Sequence, residues 1–209
     1  MSTESRGSSR KIFICPAVSL ACMTSIVILN GSPRHNGNTA VLINAVSNAL
    51  ADFADVDVQR LQLNEYHIKP CQSCQWCMKE YPLSCIQQDD MNTLYHYVLD
   101  ADTIVFASPV YWFHYSAQLK LFIDRLYALH KEDGHALQGK KFAAIFVYGD
   151  KDQTHSGVLN AIGSYTDFVQ YLHGTNLGIV TGTAMRIGDA LRNQALLADI
   201  ASLSATLAS

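Results

Sequence analysis

The chain of 209 residues predicts a three-layer α/β fold around a five-stranded parallel sheet. Two observations lead there. Short apolar runs of strand length alternate five times with segments of helical periodicity, the pattern of successive β-α-β units. No repeat of solenoid length and no low-complexity linker interrupts that alternation. With 49% apolar and 16% charged residues, the chain is long enough to bury one substantial core and short for two.

The elements follow in order. Ile26 to Leu29 form the first buried strand, which runs into the polar loop GSPRHNGNT and restarts as a helix over residues 39–54. Val41, Leu42, Ala45, Val46, Ala49 and Leu50 fall at helical spacing there, with Asn38 or Thr39 as the cap. The segment VDVQRLQL alternates like a strand, a cysteine-rich loop follows, and Asp89 and Asp90 lead into a helix over 91–101. DTIVFASPVYW reads as a buried strand. After it, Leu119, Phe122, Ile123 and Leu126 mark a helix of i, i+3, i+4, i+7 type. KFAAIFVYGD is the fourth strand, Val158 to Leu172 a helix, NLGIVTGTAM the fifth strand, and Ile187 to Leu207 a closing helix. Residues 1–22 begin basic, and Pro16 breaks their apolar stretch, so they read as an extension upstream of a domain spanning 23–209. No segment reaches the roughly 20 apolar residues of a membrane span.

A net charge of −3 without any run of Lys or Arg argues against nucleic acid as a partner. Of six cysteines, Cys71, Cys74, Cys77 and Cys85 crowd into one loop. In a chain with a large core, such crowding points to metal or redox chemistry in a reducing compartment, hence the cytoplasm, rather than to a disulfide framework.

In open parallel sheets, ligands sit beyond the carboxyl ends of the strands at the switch in strand order. Three loops occupy that position: Gly31 to Thr39, Ser108 to Tyr115, and Tyr148 to Ser156. The first is not a Walker loop, because five residues separate Gly31 from Gly37 and Asn38 stands where Lys is required; a G-x-G-x-x-G fingerprint is also absent. It offers Ser32, Asn38 and Thr39, backbone donors and the planar fork of Arg34, a set that suits one terminal phosphomonoester. The second packs Tyr111, Trp112, Phe113 and Tyr115 together at a strand end, where loop aromatics suit a flat ring.

GSPRHNGNT followed by ASPVYWFHYSAQLKLFIDR resembles the NAD(P)H-dependent FMN reductase family of flavodoxin-like proteins, and CQSCQWC resembles its iron-sulfur flavoprotein branch. The resemblance spans residues 24 to about 200. It implies a flavodoxin-like sheet of order 2-1-3-4-5, with the FMN phosphate held by Ser32, Arg34, Asn38 and Thr39. The isoalloxazine would be bordered by Pro109, Val110, Tyr111, Trp112 and Phe113, with Gly149 on its other flank. The third loop matches less sharply, which leaves Asp150 and His155 without an assigned part. The resemblance further implies NAD(P)H as co-substrate, a small acceptor such as free flavin or a quinone, and at least a homodimer. Flavin carries the electrons itself, so no catalytic acid or base is required.

The spacing C-x2-C-x2-C is more compact than zinc knuckles and resembles the start of bacterial ferredoxin motifs. Together with Cys85, after seven intervening residues, it points by resemblance to a [4Fe-4S] cluster on Cys71, Cys74, Cys77 and Cys85; zinc and unliganded thiols remain open. Three functions therefore compete: an NAD(P)H-dependent flavin reductase, a one-electron carrier using cluster and FMN, and a flavin-binding redox sensor.

Overall fold

Ile26 and Ile28 point to one face of the first strand and Val27 and Leu29 to the other, and all four are buried. A strand apolar on both sides requires a layer of helices on each face. A computed structural model describes residues 23–79 and 85–209; the expected extension 1–22 and the spacer 80–84 lie outside the described residues.

In chain order the elements are β1 (Thr24–Asn30), α1 (Asn38–Leu50), β2 (Val56–Gln62), α2 (Met91–Asp100), β3 (Thr103–Tyr111), β4 (His114–Tyr115), α3 (Ala117–Arg125), β5 (His130–Lys131), β6 (Gly134–His135), β7 (Lys141–Tyr148), α4 (Gln153–Ser156), α5 (Val158–Tyr171), β8 (Thr175–Thr183), α6 (Asp189–Arg192) and α7 (Gln194–Leu207). The main sheet runs β2-β1-β3-β7-β8, all parallel, which is the order 2-1-3-4-5 of a flavodoxin-like fold. Leu42, Val46 and Leu50 of α1 and Leu196, Ile200, Leu203 and Leu207 of α7 pack on one face. On the other, Leu94 and Val98 of α2, Leu119 and Phe122 of α3, and Ala161 and Tyr165 of α5 close over Phe106, Phe142 and Phe146.

The last helix departs from the sequence expectation. Gly188 adopts φ +87°, and the Asn193 carboxamide oxygen accepts the Leu196 N–H at 3.1 Å, so the run from Ile187 divides into α6 and α7. An Asn that can cap does so in preference to sitting mid-helix. The loop read between β3 and α3 contains a two-residue strand, β4, and a small β5-β6 ribbon precedes β7. The chain leaves β1 toward β2 on one side and returns to β3 on the other, which puts the switch point between β1 and β3.

Candidate functional site

The loop after β1 is set by short-range polar bonds. Asn30 donates to the Gln62 carboxamide and accepts from the Ser32 N–H, while Gln62 Nε2 donates to the Ser32 carbonyl at 2.6 Å. Gly31 lies against the start of α3, where a Cβ would stand 2.7 Å from Ser116 Oγ and 2.8 Å from Leu119 Cβ. Gly37 then enters α1 in an extended conformation with no side-chain cap. The first intrahelical bond is Val41 N–H to the Gly37 carbonyl, so the N–H groups of Asn38, Thr39 and Ala40 have no backbone acceptor among the described residues. An uncapped helix N-terminus is an anion site by construction. Arg34 lies exposed beside it, and among the described residues its guanidinium has no carboxylate partner.

Asn38 behaves differently from the phosphate ligand expected of it. Its Nδ2 donates to the carbonyls of Ala184 and Arg186, each at 2.9 Å, and its Oδ1 accepts from the N–H groups of Gly188 at 3.1 Å and Ala190 at 3.3 Å. The carboxamide is committed to holding residues 184–190 against α1, which leaves the Asn38 backbone N–H for a ligand.

The second wall is a hairpin. Tyr111 pairs with His114 and Val110 with Tyr115 across a two-residue turn, and both turn residues, Trp112 at φ 47° and Phe113 at φ 67°, are left-handed. Such turns favour Asn-Gly; two large aromatics there hold the backbone under strain, a feature that collects at binding sites. Gly157 lies directly behind the turn, with φ +67° and space for a Cβ only 2.6 Å from Phe113 Cβ. Trp112 is 91% exposed. Tyr115 stacks on Phe146 with centroids 5.9 Å apart, and His114 Nε2 lies 2.9 Å from Ser164 Oγ, so both turn away from the cleft. Burial and then the charge of Lys120 lower the His114 pKa.

The third wall follows β7. A Cβ on Gly149 would collide with Met185 Sδ, so the glycine permits the loops after β7 and β8 to meet. Asp152 accepts the His155 backbone N–H and, through both carboxylate oxygens, the imidazole Nδ1 at 2.8 and 2.9 Å. These hydrogen bonds hold the Asp152 carboxyl below its usual range and point His155 at the cleft rim.

The three walls enclose a cleft of about 860 Å³ at the switch point. Ser32, Arg34, Asn38, Thr39, Pro109, Val110, Tyr111, Trp112, Phe113 and Gly149 all line it. Asp150 and His155 line it too. Sequence reasoning missed Ala184 and Met185, which read as the end of a strand; the rule that ligands sit beyond every strand's carboxyl end was the signal that would have included them.

Cys71, Cys74, Cys77 and Cys85 line a second cavity, of about 310 Å³. Its opposite wall is Asp124, Arg125, Tyr127 and Ala128 at the C-terminal end of α3. Left-handed backbone at Ser73 and Gln75 winds the cysteine segment tightly, and the Ser73 N–H points at Cys71 Sγ, 3.5 Å away. Burial pushes the Cys77 thiol pKa up, and the neighbouring Cys85 thiol adds to it ahead of Cys74 and Cys71. Among the described residues no three His, Cys, Asp or Glu side chains come close enough to hold a single metal ion. Zinc draws its thiolates to about 2.3 Å from one centre, whereas a cubane takes one thiolate at each of its irons. Four cysteines lining one cavity are the donor set that an iron-sulfur group takes. The two cavities share no lining residue.

Beneath the cysteine cavity lies a buried ion pair that the sequence reading did not single out. Arg125 Nη1 and Nη2 donate to the two Asp89 oxygens at 2.6 and 3.1 Å, and both side chains are at most 1% exposed. Burial raises the Asp89 pKa, but hydrogen bonds from Arg125 and from the Lys69 and Met91 N–H groups outweigh it and hold the carboxyl below the usual range. The signal was present: Arg125 stands three residues after Phe122 and four before Leu129, on the core face of its helix.

Residues 24–177 match the model of the family described as NADPH-dependent FMN reductase. An iron-sulfur flavoprotein of Archaeoglobus fulgidus is 30% identical over 171 residues, covering 80% of this chain and 73% of the relative. One from Methanosarcina thermophila is 30% identical over 167 residues, covering 80% and 82%. Among solved structures, the NAD(P)H:quinone oxidoreductase of Methanothermobacter marburgensis superimposes with a TM-score of 0.68 at 16% identity, over 87% of this chain and 94% of that one. The last likeness carries the fold alone.

Proposed function

Since the chain belongs to the NADPH-dependent FMN reductase family, we propose that it is an FMN-dependent oxidoreductase that draws electrons from NAD(P)H and passes them to a small electron-poor acceptor such as free flavin or a quinone. The observation that carries this reading is the uncapped start of α1 beside Arg34, facing the aromatic hairpin across one cleft. When bound, FMN supplies hydride acceptance and storage of the electrons.

The residues of the chain bind, orient and shield. The N–H groups of Asn38, Thr39 and Ala40, the hydroxyls of Ser32 and Thr39 and the fork of Arg34 suit a phosphate dianion. Pro109, Val110 and Tyr111 offer an apolar edge to a flat ring, with Gly149 and Met185 on the opposite flank. Trp112 and Phe113 line the mouth, where they would shield a bound ring from water. Their exposure also suits cover by a second copy of the chain in a homodimer, which light scattering of the FMN-loaded protein tests.

Cys71, Cys74, Cys77 and Cys85 would hold a [4Fe-4S] cluster, giving the protein a one-electron port; the convergence of the four thiols on one cavity favours this over free thiols. It also supports the alternative of an iron-sulfur flavoprotein that serves as an electron carrier. Anaerobic FMN titration followed by NADH and NADPH oxidation assays tests the primary reading. Tight FMN binding with turnover of either nicotinamide is expected. FMN binding without turnover leaves the carrier, and no FMN binding overturns both.

A further inference from the structure

Arg125 Nε is a buried donor without a partner among the described residues, and it belongs to a side chain that lines the cysteine cavity. At 1% exposure, Arg125 has no solvent to satisfy that N–H, and buried donors are rarely left unpaired in native proteins. The rest of the guanidinium is tied down: Nη1 donates to Asp89 Oδ2 at 2.6 Å and to the Lys69 carbonyl at 2.9 Å, and Nη2 to Asp89 Oδ1 at 3.1 Å. The planar fork is rigid, so fixing two of its nitrogens fixes the direction of the third.

The bidentate pairing with Asp89 and the bond to the Lys69 carbonyl use Nη1 and Nη2 and leave the Nε–H unspent. That unpartnered Nε–H belongs to a residue that lines the cavity. The thiols that share the cavity are anionic when they ligate metal, and sulfur in that state accepts hydrogen bonds. Asp124, the carboxylate on the lining, is paired with Lys120. Gln87 Oε1 is also buried and unpartnered, but as an acceptor it does not match an anion.

We propose that Arg125 is a positioning residue for the cysteine cavity, its Nε–H directed at a sulfur of the anionic group held by Cys71, Cys74, Cys77 and Cys85 and its fixed charge favouring that group's more reduced state. The proposal rests on the cluster reading given above. In a redox titration, reduction adds one electron from dithionite to the group, with no protein bond made or broken.

Arg125→Lys retains a cation for Asp89 and lacks Nε–H. In anaerobically reconstituted protein, the equilibrium constant for one-electron reduction of the iron-sulfur chromophore should fall at least tenfold, a shift of about 59 mV to more negative potential. The FMN potential should stay in place, which a general loosening of the fold would not spare. A second readout needs no substitution: pulsed EPR of reduced wild-type protein carrying guanidino-¹⁵N arginine should show ¹⁵N coupling to the cluster. If Arg125→Lys fails to fold or to hold iron, that coupling decides alone. Absence of the coupling, or an unmoved potential in an iron-replete variant, overturns the proposal and leaves the cluster standing. Wild-type protein that takes up neither iron nor sulfide on reconstitution overturns both.

Discussion

Replacing Asn38 with alanine separates anchoring from ligand contact at the loop after β1. The Asn38 carboxamide makes four hydrogen bonds to the backbone of residues 184–190, three of them partly buried. At about 0.5–1.5 kcal/mol net for each bond, and with water able to reach the freed groups in part, the loss amounts to about 2–4 kcal/mol. For a domain of this size each kcal/mol moves Tm by about 2–4 °C, so the ligand-free protein should melt roughly 4–16 °C lower. The assay is thermal unfolding of flavin-free protein by circular dichroism, with Arg34→Ala as comparison. The Arg34 guanidinium has no partner in the protein among the described residues, and its removal should leave Tm unchanged. FMN affinity should respond in the opposite order, strongly to Arg34→Ala and only indirectly to Asn38→Ala. An Asn38→Ala protein that melts like wild type while losing as much FMN affinity as Arg34→Ala would refute the anchoring role and return the carboxamide to the ligand.

Arg34→Ala should weaken FMN binding by about 1.5–3 kcal/mol, the range for a hydrogen bond to a charged group; an unchanged Kd by fluorescence quenching would show that the guanidinium points elsewhere. Replacing Trp112-Phe113 with Asn-Gly relieves two left-handed aromatic residues, each a strain of order 1–3 kcal/mol. It should raise the Tm of the flavin-free protein while lowering NAD(P)H turnover, and a lower Tm would mean that the aromatic contacts outweigh the strain. Asp89 gives a signed pH dependence. Its carboxyl is held below the usual range, so on acidification the unfolded chain protonates first, and the stabilisation it confers is complete above about pH 4 and is lost as pH falls through the folded value. Asp89→Asn should flatten that acid limb in Tm against pH. It should also lower Tm at neutral pH, because it leaves Arg125 buried without its countercharge.

The fold was legible because its central strands β1, β3 and β7 are apolar on both faces and its helices on one, a pattern that survives without knowledge of any neighbour. Positions 26–29 and 104–107 announce buried strands by composition alone. Boundaries were less legible where a polar side chain chose between two uses. Asn193 divides the last helix by capping, and Asn38, in a loop that otherwise reads as ligand-binding, reaches across to the end of β8. That second choice depends on a residue 146 positions away and leaves no local trace. The hairpin turn at Trp112-Phe113 was hidden for the opposite reason: its sequence is the reverse of what such turns prefer, so the strain that marks it structurally also conceals it. Arg125 was visible as a charge on an apolar stripe, but its partner Asp89 looked like an ordinary helix-start residue, and only their meeting shows the cation to be buried.

Helix α3 is fastened at both ends. At its start, Ser116 Oγ donates to the Gly31 carbonyl at 2.6 Å, directly beneath the phosphate loop. At its finish, the Tyr95 hydroxyl donates to the Arg125 carbonyl, and the Arg125 side chain grips Asp89 and Lys69 beside the cysteine segment. Nine residues of helix span about 13 Å, and a helix that short does not bend appreciably. Through these bonds α3 links the turn at Gly31 to the ion pair beside the cysteine segment. The two cavities share no lining residue, yet one helix is tied to the surroundings of both.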